Sequence, residues 1–169
     1  MIDVAQLYRA HSADLYRFAL FLSGDPALAD DLVAETFVRL WSARERVDLA
    51  TVRGYLFTIA RNLYLQERRG RRPAAELNEA LADRGPGPEA QALARAELRA
   101  TLAALQGLPE LDRAALLMRA GDGLDYDEIG AALGLSPAAV RVRVHRARQR
   151  LAAALAPPSP TPSPEEPGR

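Results

Sequence analysis

Between residues 136 and 151 the chain carries Arg141, Arg143, Arg146, Arg148 and Arg150, and no acid. Guanidiniums of one sign on one segment suit phosphate oxygens and the acceptor edge of guanine. The bland alternative is a solvated helix face, which would ordinarily mix signs. At 100° per residue Val140, Val144, Ala147 and Leu151 fall on one stripe, the stripe to bury. The opposite face then carries Ala138, Val142, His145, Arg146 and Gln149, with Arg141 and Arg148 on one flank and Arg143 and Arg150 on the other. Small residues at its start let such a helix approach base edges closely.

A second cationic cluster lies at residues 61–72, where five arginines face one acid, Glu67, with Tyr55 and Tyr64 nearby. Cations mixed with aromatic rings suit a single-stranded nucleic acid. A third feature is acidic: Asp25, Asp30, Asp31 and Glu35 precede Arg39 with no base among them. They either complement a helix dipole or form a docking face for a basic partner. Covalent chemistry finds no support, because Ser23, Ser42 and Ser136 lack a suitably related histidine and no glycine-rich phosphate loop appears. His11 lies on an apolar stripe with no second ligand at metal spacing, and reads as a packed side chain. The expectation is a protein that is not an enzyme and has neither cofactor nor metal.

The whole composition sets the frame. Acidic and basic residues balance at 22 each over 169 residues, so local charge is the informative quantity. Every basic residue is arginine, which reflects coding composition more than chemistry. The absence of cysteine excludes disulfides and fits a reducing cytoplasm, and no apolar run approaches a membrane span, so no membrane insertion is expected.

The positioning elements are set by periodicity. Residues 2–23 space Val4, Leu7, Tyr8, Leu15, Phe18, Ala19 and Leu22 as an amphipathic helix, ended by Gly24 and restarted by Asp25-Pro26. The next helix, to about residue 44, buries Leu28, Leu32, Val33, Phe37 and Leu40, with Trp41 beside them. After a polar loop, a helix from 52 to 69 turns Leu56, Ile59, Ala60, Leu63 and Tyr64 inward. Residues 74–88 lose the stripe and read as a flexible linker. Periodicity resumes with Ala92, Leu93, Ala96, Leu98, Leu102 and Leu105, breaks at Leu108-Pro109, and continues over 111–120, where Leu116, Leu117 and Met118 can pack beneath residues 125–151. Asp125 and Glu128 have capping-box spacing, Gly134 ends that helix, and Ser136-Pro137 begins the next: a helix-turn-helix. The fold class expected is all-α, two small helical domains (1–73 and 89–155) joined by the linker, with a proline-rich disordered tail at 156–169.

Residues 30–41, DDLVAETFVRLW, with residues 53–72, RGYLFTIARNLYLQERRGRR, resemble the second domain of bacterial extracytoplasmic-function (ECF) sigma factors, and residues 125–151 resemble their fourth domain. The resemblance implies a factor that binds RNA polymerase core, through the clamp helices of the largest subunit and through the flap, and recognises promoter DNA at minus-ten and minus-thirty-five elements. It assigns polymerase contact to Asp31, Glu35, Thr36 and Arg39. Minus-ten recognition would fall to Arg46, Asp48, Thr51, Tyr55, Arg61, Asn62, Arg68, Arg69, Arg71 and Arg72, and minus-thirty-five recognition to Ser136, Ala138, Arg141, Val142, Arg143, His145, Arg146 and Arg148. An anti-sigma factor is the implied silencing partner. Ala34 replaces the family's usual glutamine, Tyr55 a common tryptophan, and Val142 a small polar residue. The alternatives are a helix-turn-helix regulator that never engages polymerase, and an interaction protein with a degenerate N-terminal domain.

Overall fold

The computed structural model describes residues 2–70, 87–121 and 123–160. Among them are α1 (Val4–Ser23), α2 (Pro26–Ala43), α3 (Val52–Gly70), α4 (Pro88–Gln106), α5 (Glu110–Ala120), α6 (Tyr126–Leu133) and α7 (Pro137–Leu155), and no strand. The linker residues 74–86 and the tail residues 161–169 lie outside the described residues.

Both ends of α1 and the start of α2 have local causes. Asp3 caps α1 by accepting from the amides of Ala5 and Gln6, and Gly24, at φ 70°, ends it by donating to the Leu20 carbonyl. Asp25 caps α2 in the same way, with Pro26 in the first turn, where its missing N–H leaves no bond unmade. The three helices pack around Leu15, Leu22, Leu40 and Leu56, all essentially inaccessible, and the Phe18 and Phe57 rings meet edge to face at 4.8 Å. Val52 and Phe57, which the periodicity left off the inner stripe, are buried too. The inner face of α3 is wide because α1, α2 and α6 all pack against it.

Two aromatic side chains depart from expectation. Trp41 is 56% exposed and carries the Arg44 guanidinium over its ring at 4.4 Å, because the residue after Leu40 sits 100° off the buried stripe. Tyr8 is also exposed, leaning edge-on against Phe37 at 4.9 Å. In α4 the stripe is longer than the surface it covers. Leu102 and Leu105 are buried, whereas Leu93 is 63% exposed and Ala92 and Ala96 are open to solvent.

The helix-turn-helix forms from short-range signals. Asp125 accepts from the Glu128 amide at 2.8 Å and Glu128 accepts from the Asp125 amide at 2.9 Å, closing the capping box. Gly134 adopts φ 69°, and Ser136 caps α7 by accepting from the Ala139 amide. Gly130 is required for a different reason: a Cβ there would lie 2.5 Å from the Leu135 carbonyl oxygen, whose chain folds back over α6. Val140, Val144 and Ala147 are buried beneath α7, chiefly against α5.

The two halves touch, and their apolar side chains form one continuous core. Gln106, at the end of α4, donates from Nε2 to the Phe21 and Leu22 carbonyls at 3.2 Å each, satisfying acceptors that the end of α1 leaves open. Replacing Gly130 with alanine is expected to destabilise the chain by about 1–3 kcal/mol through the forced displacement of the Leu135 backbone. Urea denaturation of Gly130→Ala beside the parent chain measures this.

Candidate nucleic-acid interface

The outward face of α7 is a cationic strip. Ala138, Arg141, Val142, His145, Arg146 and Arg148 are all exposed, Val142 to 59%. Ser136, also exposed, has its hydroxyl oxygen occupied by the Ala139 amide. Arg143 stands apart, 30% exposed, with Nη1 donating to Asp112 Oδ1 at 2.8 Å. Asp112, on the first turn of α5, is only 2% exposed, and its second oxygen faces Arg146 Nε at 3.6 Å and Arg150 Nη1 at 4.0 Å. Arg143, Arg146 and Arg150 are spaced i, i+3, i+7, so they form the ridge of α7 that borders α5. On the other flank Arg141 lies over the Tyr126 ring at 5.1 Å; Arg119 approaches the same ring at 4.6 Å and donates to the Leu124 carbonyl.

The acidic residues of α2 collect in a different place. Asp31, Glu35 and Arg39 line a groove of about 550 Å³ between α2 and α3, with Val38, Gln66 and Glu67. Glu35 and Arg39 also pair at 3.3 Å along the helix. Thr36 does not join them. It is fully buried, and its hydroxyl donates back to the Leu32 carbonyl at 2.6 Å, so in this arrangement it faces the core.

The loop before α3 exposes Arg46 and Thr51. Asp48 builds the turn itself, accepting from the Ala50 amide through its side chain and from the Thr51 amide through its carbonyl. Tyr55 is half-buried against the core, whereas Asn62, Arg68 and Arg69 are exposed along α3. Arg71 and Arg72 lie outside the described residues. Arg61 is held elsewhere: its Nε and Nη2 donate to the two carboxylate oxygens of Glu110 at 2.8 Å each, with the side chains only 14% and 13% exposed. This fork-to-fork pair joins α3 to α5 across the junction of the two halves.

Glu110, Asp112, Arg113 and Tyr126 contact the expected site residues or the α3 core, and the sequence pattern does not single them out. Arg113 is 2% exposed, donating to the Leu105 carbonyl, Gln106 Oε1 and the Tyr64 hydroxyl, while its Nε finds no partner among the described residues. Burial lowers its pKa, opposed by Tyr64 and Glu110. A guanidinium starts so high that it stays charged. The sequence signal for these residues is no more than their place in the first turn after Pro109 or beside a capping box.

An acidic grooved helix pair, a cationic third helix and a helix-turn-helix thus lie on one chain. Residues 7–73 match sigma-70 region 2, and residues 98–151 match sigma-70 region 4. The ECF RNA polymerase sigma factor EcfG of Rhodopseudomonas palustris is 34% identical over 131 residues, which cover 75% of this chain and 71% of that protein. The ECF RNA polymerase sigma factor SigE of Mycolicibacterium smegmatis is 40% identical over 142 residues, 80% of this chain and 55% of the relative, so the chain spans about half the length of that protein. The fold is that of the sigma factor RpoE from Bartonella quintana, solved with the anti-sigma factor NepR, at a TM-score of 0.74 and 23% identity over 89% of this chain and 95% of that one. The chain belongs to the ECF sigma factors.

If the Arg61–Glu110 pair holds the junction, Arg61→Ala and Glu110→Ala each destabilise the chain, and their effects are not additive. A double-mutant cycle by thermal or urea unfolding should return a coupling of roughly 0.5–3 kcal/mol.

Proposed function

We propose that this chain binds RNA polymerase core and directs promoter-specific initiation by recognising minus-ten and minus-thirty-five elements. The observation that carries the reading is the separation of surfaces on one small chain: a cationic recognition helix on α7, and an acidic groove between α2 and α3 on the other half. A plain helix-turn-helix regulator has no use for the second.

In this reading α7 enters the major groove, with Arg141, Val142, His145 and Arg146 toward base edges. Val142 offers a thymine methyl an apolar contact, in place of a hydrogen bond. Asp31, Glu35 and Arg39 receive the clamp helices of the largest polymerase subunit, and the fourth domain meets the flap. Arg46, Thr51, Asn62, Arg68 and Arg69 meet the opened non-template strand and the duplex upstream. Asp48 shapes the loop that presents them, and Arg61 joins them by exchanging Glu110 for nucleic acid as the two halves part on polymerase. Arg71 and Arg72, next along the sequence, are assigned to the same upstream duplex.

The chain performs no covalent chemistry on this proposal. Its contribution is thermodynamic, since polymerase holding both halves over one promoter makes the second DNA contact effectively intramolecular. It acts in the cytoplasm with polymerase and promoter DNA, and an anti-sigma factor is the silencing partner that the family implies. No helix among the described residues is long and apolar enough to cross a membrane.

Run-off transcription by purified core on a randomised promoter pool tests the proposal. Transcripts from templates sharing a two-part motif are expected only when the chain is present; binding to the pool without stimulation of core contradicts it. Reversing charge in the groove, as Asp31→Arg with Glu35→Arg, is expected to weaken core binding by about tenfold or more while leaving duplex binding by α7 unchanged. A core pull-down beside a duplex-shift assay reads both.

A further inference from the structure

We propose that Asp112 and Tyr126, neither of which faces DNA, are the positioning residues that set minus-thirty-five specificity, by holding the arginines on the two flanks of α7. The proposal rests on the reading of α7 as the minus-thirty-five helix, and goes beyond it to which residues orient the reading side chains.

The geometry is asymmetric in a useful way. On the α5 flank one nearly inaccessible carboxylate serves the i, i+3, i+7 ridge: a hydrogen bond to Arg143 at 2.8 Å, and charge contacts to Arg146 at 3.6 Å and Arg150 at 4.0 Å. Buried and unpaired, that carboxylate would be strongly unfavourable, so the ridge is drawn to it. Arg143 is thereby a tether of α7 to α5. Arg146 is 46% exposed and approached at Nε, which leaves its terminal Nη groups to meet a base edge. On the α6 flank the Tyr126 ring, partly buried at the first turn of α6, supports the Arg141 guanidinium. Arg119 beside the same ring keeps Tyr126 linked to α5 through the Leu124 carbonyl.

Between these flanks lie Ala138, Val142, His145 and Gln149, all exposed on the outward face of α7. Long arginine side chains lose much rotamer freedom when they bind, and a side chain already oriented loses less. Orientation before contact favours the correct base edge over any phosphate within reach. A freed arginine does the reverse: it finds phosphates on every sequence, so non-specific affinity rises as discrimination falls.

The test uses holoenzyme assembled from polymerase core and the full chain. The probes are a minus-thirty-five duplex enriched from a randomised promoter pool and a scrambled duplex of the same base composition, each titrated at several salt concentrations. Asp112→Asn is expected to lower the selected-to-scrambled affinity ratio roughly five- to tenfold. It should also steepen the salt dependence by about one counterion, as Arg143 turns to phosphate. Tyr126→Leu is expected to lower the ratio several-fold, and Tyr126→Phe, which keeps the ring, to retain it. If Asp112→Asn fails to fold, the Tyr126 pair decides.

A role confined to stability would weaken both duplexes together and leave the salt slope alone; that result overturns the proposal. So does an unchanged ratio in both Asp112→Asn and Tyr126→Leu where the parent holoenzyme discriminates. A parent that shows no preference for the selected duplex overturns the reading of α7, and this proposal with it.

Discussion

The constraint on which the second half depends is a carboxylate out of water. Asp112 sits at the start of α5, where the helix dipole favours its charge, and three arginines of α7 converge on it. An arginine-rich helix cannot be packed through its charged face, so it needs an apolar stripe to bury and an anion to settle the arginines at its border. Val140, Val144 and Ala147 provide the first and Asp112 the second. Together they fix which face of α7 is left outward.

The helix that carries Asp112 also organises the junction. Glu110 reaches Arg61 on α3, Arg113 reaches Tyr64 on α3 and the end of α4, and Arg119 reaches Leu124 and Tyr126. The four charged side chains on its eleven residues thus tie α5 to α3, the end of α4, α6 and α7. The apolar residues Ala114, Ala115, Leu116 and Met118 hold α5 in the core that makes this possible. The buried Arg113, whose Nε has no partner among the described residues, is tolerated because both its Nη atoms donate to oxygens and Tyr64 and Glu110 raise its pKa against burial.

Features decided within a turn or two of chain are legible in the sequence. The capping box at Asp125 and Glu128, the left-handed Gly134, the Ser136-Pro137 start and the buried stripe of α7 all depend on neighbours a few residues away. The contacts that assign arginines to roles do not. Arg143 meets Asp112 from 31 residues off and Arg61 meets Glu110 from 49, and no periodicity encodes how α5 crosses α7 or α3. Thr36, which the resemblance assigned to polymerase contact, faces the core in this arrangement because its hydroxyl bonds its own helix backbone and so can be buried. Trp41 departs in the opposite sense, an apolar ring left outside with a guanidinium over it.

An acidic groove on one half and a cationic helix on the other make functional sense when a large assembly holds one while DNA meets the other. Permanganate footprinting, run beside nuclease footprinting, of a responsive promoter with core and this chain tests that division of labour most directly. Reactive thymines are predicted in an opened minus-ten segment together with protection about the minus-thirty-five element, the opening lost when either core or the chain is omitted. Protection at the upstream element with the duplex still closed would contradict it.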